Sequence, residues 1–124
     1  MQRRLADAGR FRFIFQQGSR IRSGPFFATV APREAGGSAQ PARLGMTIGK
    51  KAAPRAVDRN RLKRIIRESF RLNELLSRQG GVDIVIGARQ DARRMTSQDL
   101  RQSLDKLWTE AGRKANEQET GTHG

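Results

Sequence analysis

The sequence has no cysteine and no tyrosine, one tryptophan and one histidine. The missing thiols exclude disulfides, thiolate metal sites and a cysteine nucleophile. The single histidine, His123, falls in a polar, glycine-containing stretch after Arg113 that is expected to fray, so it is a poor general acid or base. Acids are scarce: 12 Asp+Glu against 25 Lys+Arg. Asp7, Glu34, Asp58, Glu68, Asp83 and Asp91 stand singly along the chain. Protein-based two-metal hydrolysis needs carboxylates that converge, and this pattern offers none. No apolar run approaches membrane-spanning length. The opening Met1-Gln2-Arg3-Arg4-Leu5 leads into no apolar stretch of signal-peptide length. The chain reads as a soluble protein of a reducing cytoplasm.

What is present is positive charge. The 124 residues suit one domain, and 35% hydrophobic residues are lean but enough to close a core. The net charge is +13. Such a charge opposes compaction by self-repulsion, so a polyanion that screens it is the expected partner. The lysines are Lys50, Lys51, Lys63, Lys106 and Lys114, and all the other basic residues are arginine. The planar guanidinium suits bidentate phosphate contacts and stacking on bases.

Hydrophobic spacing predicts six elements. Leu5 to Gln17 reads as a short helix stopped at Gly18. Ile21 to Arg33 reads as one extended segment with Pro25 at its entry, and Glu34 to Pro41 as a hairpin loop. Arg43 to Lys50 alternates Leu44, Met46 and Ile48 with small or polar residues, the pattern of a strand with one apolar face. A long helix begins near Val57, with Asp58 as N-cap, and runs to about Arg78 before Gly80-Gly81. Val82 to Ile86 is a strand, and Gly87 to Met95 a basic loop. Thr96 or Ser97 caps a final helix through about Gly112, with Leu100, Leu104, Leu107 and Trp108 as its stripe and Trp108 read as core. The fold class is α+β: an α-β-β-α-β-α two-layer sandwich with a small mixed sheet and helices on one face. Residues 1–113 form the single domain, and 114–124 are expected to be a disordered tail.

The long helix carries the functional signal. At about 100° per residue, Leu62, Ile65, Ile66, Phe70, Leu72 and Leu76 fall in one arc. Asn60, Lys63, Arg64, Arg67 and Arg71 fall in another. Lys63, Arg67 and Arg71 are one turn apart, and like charges at that spacing repel. Helix stability therefore does not account for them. A solvated face normally mixes signs, yet here only Glu68 interrupts. Polyanion binding explains the pattern better, with Lys50 and Lys51 upstream extending the same surface. A basic amphipathic helix can also lie on an anionic membrane. This apolar arc carries no Trp, and other elements are present to cover it.

These residues resemble the signature of the bacterial ribonuclease P protein subunit. The resemblance rests on Gly49-Lys50-Lys51, Ala56-Val57 and Arg59-Asn60-Arg61-x-Lys63-Arg64-x-x-Arg67-Glu68-x-Phe70-Arg71, with Arg10-Phe11-x-x-x-Phe15-x-x-Gly18 upstream. It covers roughly residues 4 to 112. It implies an α/β sandwich whose basic helix sits in a left-handed βαβ crossover, against the usual right-handed rule. It implies a protein that binds a catalytic RNA and assists that RNA in removing the 5′ leader of precursor tRNA. The catalytic Mg2+ is then held mainly by the RNA, with none bound tightly by the protein and no protein catalytic residue. The implied contacts to catalytic RNA are Arg59, Asn60, Arg61 and Arg64. The physical reading adds Lys50, Lys51 and Arg71. The implied contacts to the leader are Phe11, Phe15, Lys63 and Arg67. No obligate protein partner is evident.

Several readings stay open at this stage. Phe11 and Phe15 serve either as stacking surfaces for leader bases or as plain core packing. Arg89, Arg93 and Arg94 are either RNA contacts or a solvated loop. The chain lacks the tyrosine that relatives often offer to the leader cleft near Thr29, and Phe27 substitutes only if it faces the same way. The alternatives to a ribonuclease P subunit are another RNA-binding protein, such as a ribosomal or tRNA-binding module, a DNA-binding protein, and a free-standing nuclease. DNA recognition needs base-reading side chains on an exposed helix, for which Asn60 and Gln79 are thin support.

Overall fold

A computed structural model describes residues 18–32, 42–74, 76 and 82–121. The predicted helix over Leu5 to Gln17, with Phe11 and Phe15, lies outside the described residues. The described chain runs β1 (Ser19–Ser23), β2 (Phe26–Pro32), β3 (Arg43–Thr47), α1 (Ala56–Leu72), β4 (Val82–Ala88), a 3₁₀ turn (Gln90–Arg94) and α2 (Ser97–Gly121).

The sheet order is β1-β2-β4-β3. β1–β2 and β2–β4 are antiparallel, and β3–β4 is parallel. The mixed sheet expected from the sequence is therefore present, and α1 is the crossover between two adjacent parallel strands. Alternation assigns the faces. Ile21, Phe26, Ala28, Val30, Leu44, Ile84 and Ile86 join one core with residues of both helices. Within it Trp108 donates Nε1–H to Ser69 Oγ at 2.7 Å and meets Phe70 edge-on, with ring centroids 5.5 Å apart. The opposite face carries Arg20, Arg22, Phe27, Thr29 and Arg43.

Several expectations are corrected. The single extended segment Ile21 to Arg33 is two strands joined by a tight turn, with Ser23 opposite Phe26. Gly24 takes φ +56 there, a left-handed conformation that favours glycine, and a Cβ would also collide with the Ser103 side chain. Glu34 to Pro41 does not close a hairpin, because β4 inserts between β2 and β3. Asp58 is not the N-cap. Arg55 is, in extended backbone, and Asp58 sits in the first turn, where it accepts from Arg55 Nε at 3.0 Å. A carboxylate there complements the helix dipole.

α1 ends at Leu72, not near Arg78. The Asn73 backbone N–H donates to Ser69 O and Phe70 O, and its Oδ1 accepts from Leu76 N at 3.0 Å. That side chain competes with the helix ladder and starts a new turn. Leu72, placed by periodicity in the apolar arc, is 73% exposed. β4 extends to Ala88, and the expected loop beyond it contains the 3₁₀ turn. Thr96 is the cap of α2, accepting from Asp99 N at 3.1 Å. α2 continues past Gly112 to Gly121, where fraying was expected after Arg113. Buried Ala111 and Ala115 carry its apolar stripe across Gly112.

One buried ion pair ties the sheet. Asp83 is fully buried and takes Arg43 Nε and Nη2, each at 2.8 Å. The two residues are register partners across the parallel β3–β4 pair. A one-residue slip would break this register-specific pair at a buried carboxylate.

Candidate nucleic-acid interface

α1 is held by its apolar side. Leu62, Ile65, Ile66 and Phe70 are buried in the core. Each such burial contributes about 1.5–3 kcal/mol, against a few tenths of a kcal/mol for each like-charge repulsion on the outer side. Anchoring wins easily, so the helix can carry an unfavourable charge pattern. α2 lies along one flank of α1: Glu68 pairs with Arg101 at 3.8 Å, and Arg61 reaches the start of α2.

The basic residues divide into two populations. Arg59 and Arg61 are used inside the fold. Arg59 Nη1 donates to Ala53 O at 3.0 Å and to Pro54 O at 2.8 Å, closing the connector onto the helix. Arg61 Nη2 donates to Met95 O at 3.0 Å and Ser97 Oγ at 3.2 Å. Of the residues expected to contact RNA, these two are therefore already engaged by carbonyl and hydroxyl groups. The side chains of Lys50, Lys51, Lys63, Arg64, Arg67 and Arg71 form no hydrogen bond or ion pair with any described residue. Lys50, Lys51, Asn60, Arg64 and Arg71 are exposed, and Lys63 and Arg67 are half-buried.

Helical geometry places these free cations. Lys63 and Arg67 lie on the flank away from Arg61 and Glu68, and Asn60, Arg64 and Arg71 form the crest between the flanks. Lys63, Arg67 and Arg71 rise one turn apart. Of the predicted set, Asn60, Lys63, Arg64, Arg67 and Arg71 thus share one helix surface, and Lys50 and Lys51 lie in the connector before it. Arg59 and Arg61 are bonded to the protein's own carbonyl and hydroxyl groups, and Phe11 and Phe15 are not described.

The sheet's other face supplies an aromatic that the sequence left undecided. Phe27 is two residues from Thr29 on β2, so both side chains share a face. Phe27 is 43% exposed, whereas Thr29 is buried. Its ring lies over Gly87, its register partner on β4: a Cβ at Gly87 would stand 2.5 Å from the ring. Phe27, Thr29, Arg20, Arg22 and Arg89 line an open hollow of about 490 Å³. Arg89 also borders a second hollow of about 300 Å³, beside Lys51 and Gln90. Arg20, Arg22 and Arg89 have no ion-pair partner among the described residues. Sequence reasoning passed over Arg20 and Arg22. Their alternation with Ile21 on β1 was the signal that places them beside Phe27.

No group of three His, Cys, Asp or Glu side chains able to hold a metal ion occurs among the described residues. No helix among them is long and apolar enough to cross a membrane. The surface offers fixed cations beside a half-exposed ring, which is suited to phosphate contacts and base stacking.

Comparison with known proteins points the same way. The Ribonuclease P family model matches residues 1–112. The ribonuclease P protein component of Marinomonas sp. is 37% identical over 114 residues, covering 90% of this chain and 81% of that protein. That of Nitrosococcus oceani is 41% identical over 105 residues, covering 85% and 83%. The Staphylococcus aureus RNase P protein superposes with a TM-score of 0.77 at 29% identity, covering 90% of this chain and 96% of that one. A Staphylococcus aureus RNase P protein mutant with defective mRNA degradation activity superposes with a TM-score of 0.75 at 30% identity, covering 87% and 86%. The chain belongs to the ribonuclease P protein family.

Proposed function

We infer that this protein is the protein subunit of a cytoplasmic ribonuclease P, which trims the 5′ leader from precursor tRNA. The observation that carries this reading is the surface of α1, where the side chains of Lys63, Arg64, Arg67 and Arg71 have no partner among the described residues, on a helix fixed by its apolar side. The crest and the Lys50-Lys51 connector engage phosphates of the catalytic RNA. Lys63 and Arg67, on the free flank, engage the leader together with Phe11, Phe15 and Phe27. Stacking on an aromatic ring tolerates any base, which suits a subunit that meets many leader sequences.

In this reading the hydrolysis and its Mg2+ belong to the RNA. The described residues do not fit a protein-held magnesium site: Asp83 is taken by Arg43, Asp58 by Arg55, and no three acidic or histidine side chains converge. The protein's contribution is to neutralise phosphates where the leader and the catalytic RNA approach, and so to reduce the metal needed to hold them together.

Added to a bacterial ribonuclease P RNA, the protein should lower the Mg2+ concentration needed for precursor tRNA cleavage. Alone it should cleave neither precursor tRNA nor mRNA. The mRNA arm matters because a Staphylococcus aureus relative is a mutant with defective mRNA degradation activity. Cleavage by this chain with all RNA cofactor removed would overturn the division of labour.

A further inference from the structure

We propose that the 3₁₀ turn bearing Arg93 and Arg94 is a second phosphate-binding site, set on the Arg61 flank of α1, that grips a separate stretch of structured RNA backbone. The inference rests on the reading of α1 as an RNA-binding helix and extends it to a surface that the signature motif does not contain.

Three observations carry it. The first is charge without partners. Arg93 and Arg94 lie in a five-residue turn whose one acid is Asp91, and neither forms an ion pair with any described residue. Other arginines near carboxylates do pair: Arg55 with Asp58, Arg101 with Glu68, Arg113 with Glu110. The second is an orphaned donor. Arg93 Nε is buried with no acceptor, the one such side-chain nitrogen or oxygen among the described residues. A buried guanidinium N–H carries the full cost of lost hydration. The Arg93 Nη groups, by contrast, are not buried and make no hydrogen bond to a described residue, so they are the donors a phosphate oxygen can meet.

The third is rigidity. The turn is closed by Ala92 N to Arg89 O at 3.1 Å and Met95 N to Ala92 O at 3.2 Å. Ala92 is fully buried, and Met95 packs on the core. Arg61 completes the bracket by donating to Met95 O and Ser97 Oγ. Arg61 is thus a positioning residue that holds the turn against the helix. Arg93 and Arg94 issue from fixed backbone, so binding RNA has to order their side chains but not the turn.

The placement gives the site a role distinct from the crest of α1. Lys63 and Arg67 lie on one flank of the helix, and the turn lies on the other. The helix with its side chains is about 10–12 Å across. Cations on both flanks therefore straddle it, and two neighbouring backbone segments of a folded RNA can be held at once. A single flexible strand would need only one flank.

The test is the salt dependence of binding of the full chain to a bacterial ribonuclease P RNA transcript. Arg94→Gln, an exposed change, should make the log–log slope less negative by about 0.7–0.9, and Arg93→Gln with Arg94→Gln by about 1.4–1.8. Arg93→Lys with Arg94→Lys should restore the slope, because the charge rather than the packing is responsible. Arg64→Gln on the crest serves as the reference. A slope altered by Arg64→Gln but not by the turn variants overturns the second site and leaves the α1 reading standing. A slope altered by neither overturns the α1 reading itself. Weakened binding that lysine does not restore, with a lowered melting temperature, makes the turn structural and also overturns the proposal.

Discussion

Helices α1 and α2 pack into the same core, yet their outer faces follow opposite rules. Along α2 acids and bases alternate, and two of its bases are paired: Arg113 takes Glu110 at 2.6 Å, and Arg101 reaches across to Glu68 of α1 at 3.8 Å. The Arg113 hydrogen bond holds the Glu110 carboxyl below the ordinary carboxylate value. Along α1 the outer cations Lys63, Arg64, Arg67 and Arg71 pair with no acid among the described residues. The α2 arrangement is what an exposed helix adopts when solvation and a few tenths of a kcal/mol from each i,i+3 pair are the only considerations. The α1 arrangement forgoes those pairs and accepts repulsion instead. The difference supports the proposed role of α1, because its charge pattern costs stability and needs another beneficiary.

A second division runs within α1 itself, between cations that hold the fold and cations left free. The largest effect expected from breaking it is on stability. Arg61→Ala should destabilise the fold by about 2 kcal/mol, since Met95 O and Ser97 Oγ lose a charged donor. Arg64→Ala should leave the melting curve within experimental error and instead flatten the salt dependence of RNA binding by about one phosphate contact. Equal melting temperatures for the two variants would erase the distinction. A smaller effect is expected on the sheet's open face. Phe27→Ala should weaken binding of leader-bearing precursor tRNA by about 1 kcal/mol, through loss of a stacking surface, and leave mature tRNA unchanged. Equal weakening of both would make Phe27 a packing residue.

Much of this was legible in the chain. The apolar stripe of α1, the Thr96 cap, the Trp108 core position and the arginine-asparagine-arginine string all follow from local pattern. What escaped depended on distant partners. The inward turn of Arg61 is set by Met95 and Ser97, 34 and 36 residues away. Helical spacing already sets Arg61 outside the arc that holds Arg64, but it does not supply the partners waiting on that flank. The insertion of β4 between β2 and β3 is likewise a non-local pairing, and an apparent hairpin loop concealed it. The end of α1 was missed because the Asn73 side chain outcompetes the helix at a position where periodicity continues. The extension of α2 was missed because Gly112 weakens a helix by about 1 kcal/mol, while burial of Ala111 and Ala115 on either side outweighs it. Phe27 was left undecided until the register with Gly87 showed a glycine making room for the ring.

The most direct test sets the two helices against each other. One variant replaces Lys63, Arg64, Arg67 and Arg71 of α1 with glutamine, and the other replaces Arg101, Lys106, Arg113 and Lys114 of α2. Both remove the same formal charge. Affinity for a bacterial ribonuclease P RNA is then followed across a salt series. The log–log slope should become less negative by about three units for the α1 variant and by less than half a unit for the α2 variant. Equal changes in the two would mean that net charge alone attracts the RNA and that the partnerless face of α1 has no special place in binding.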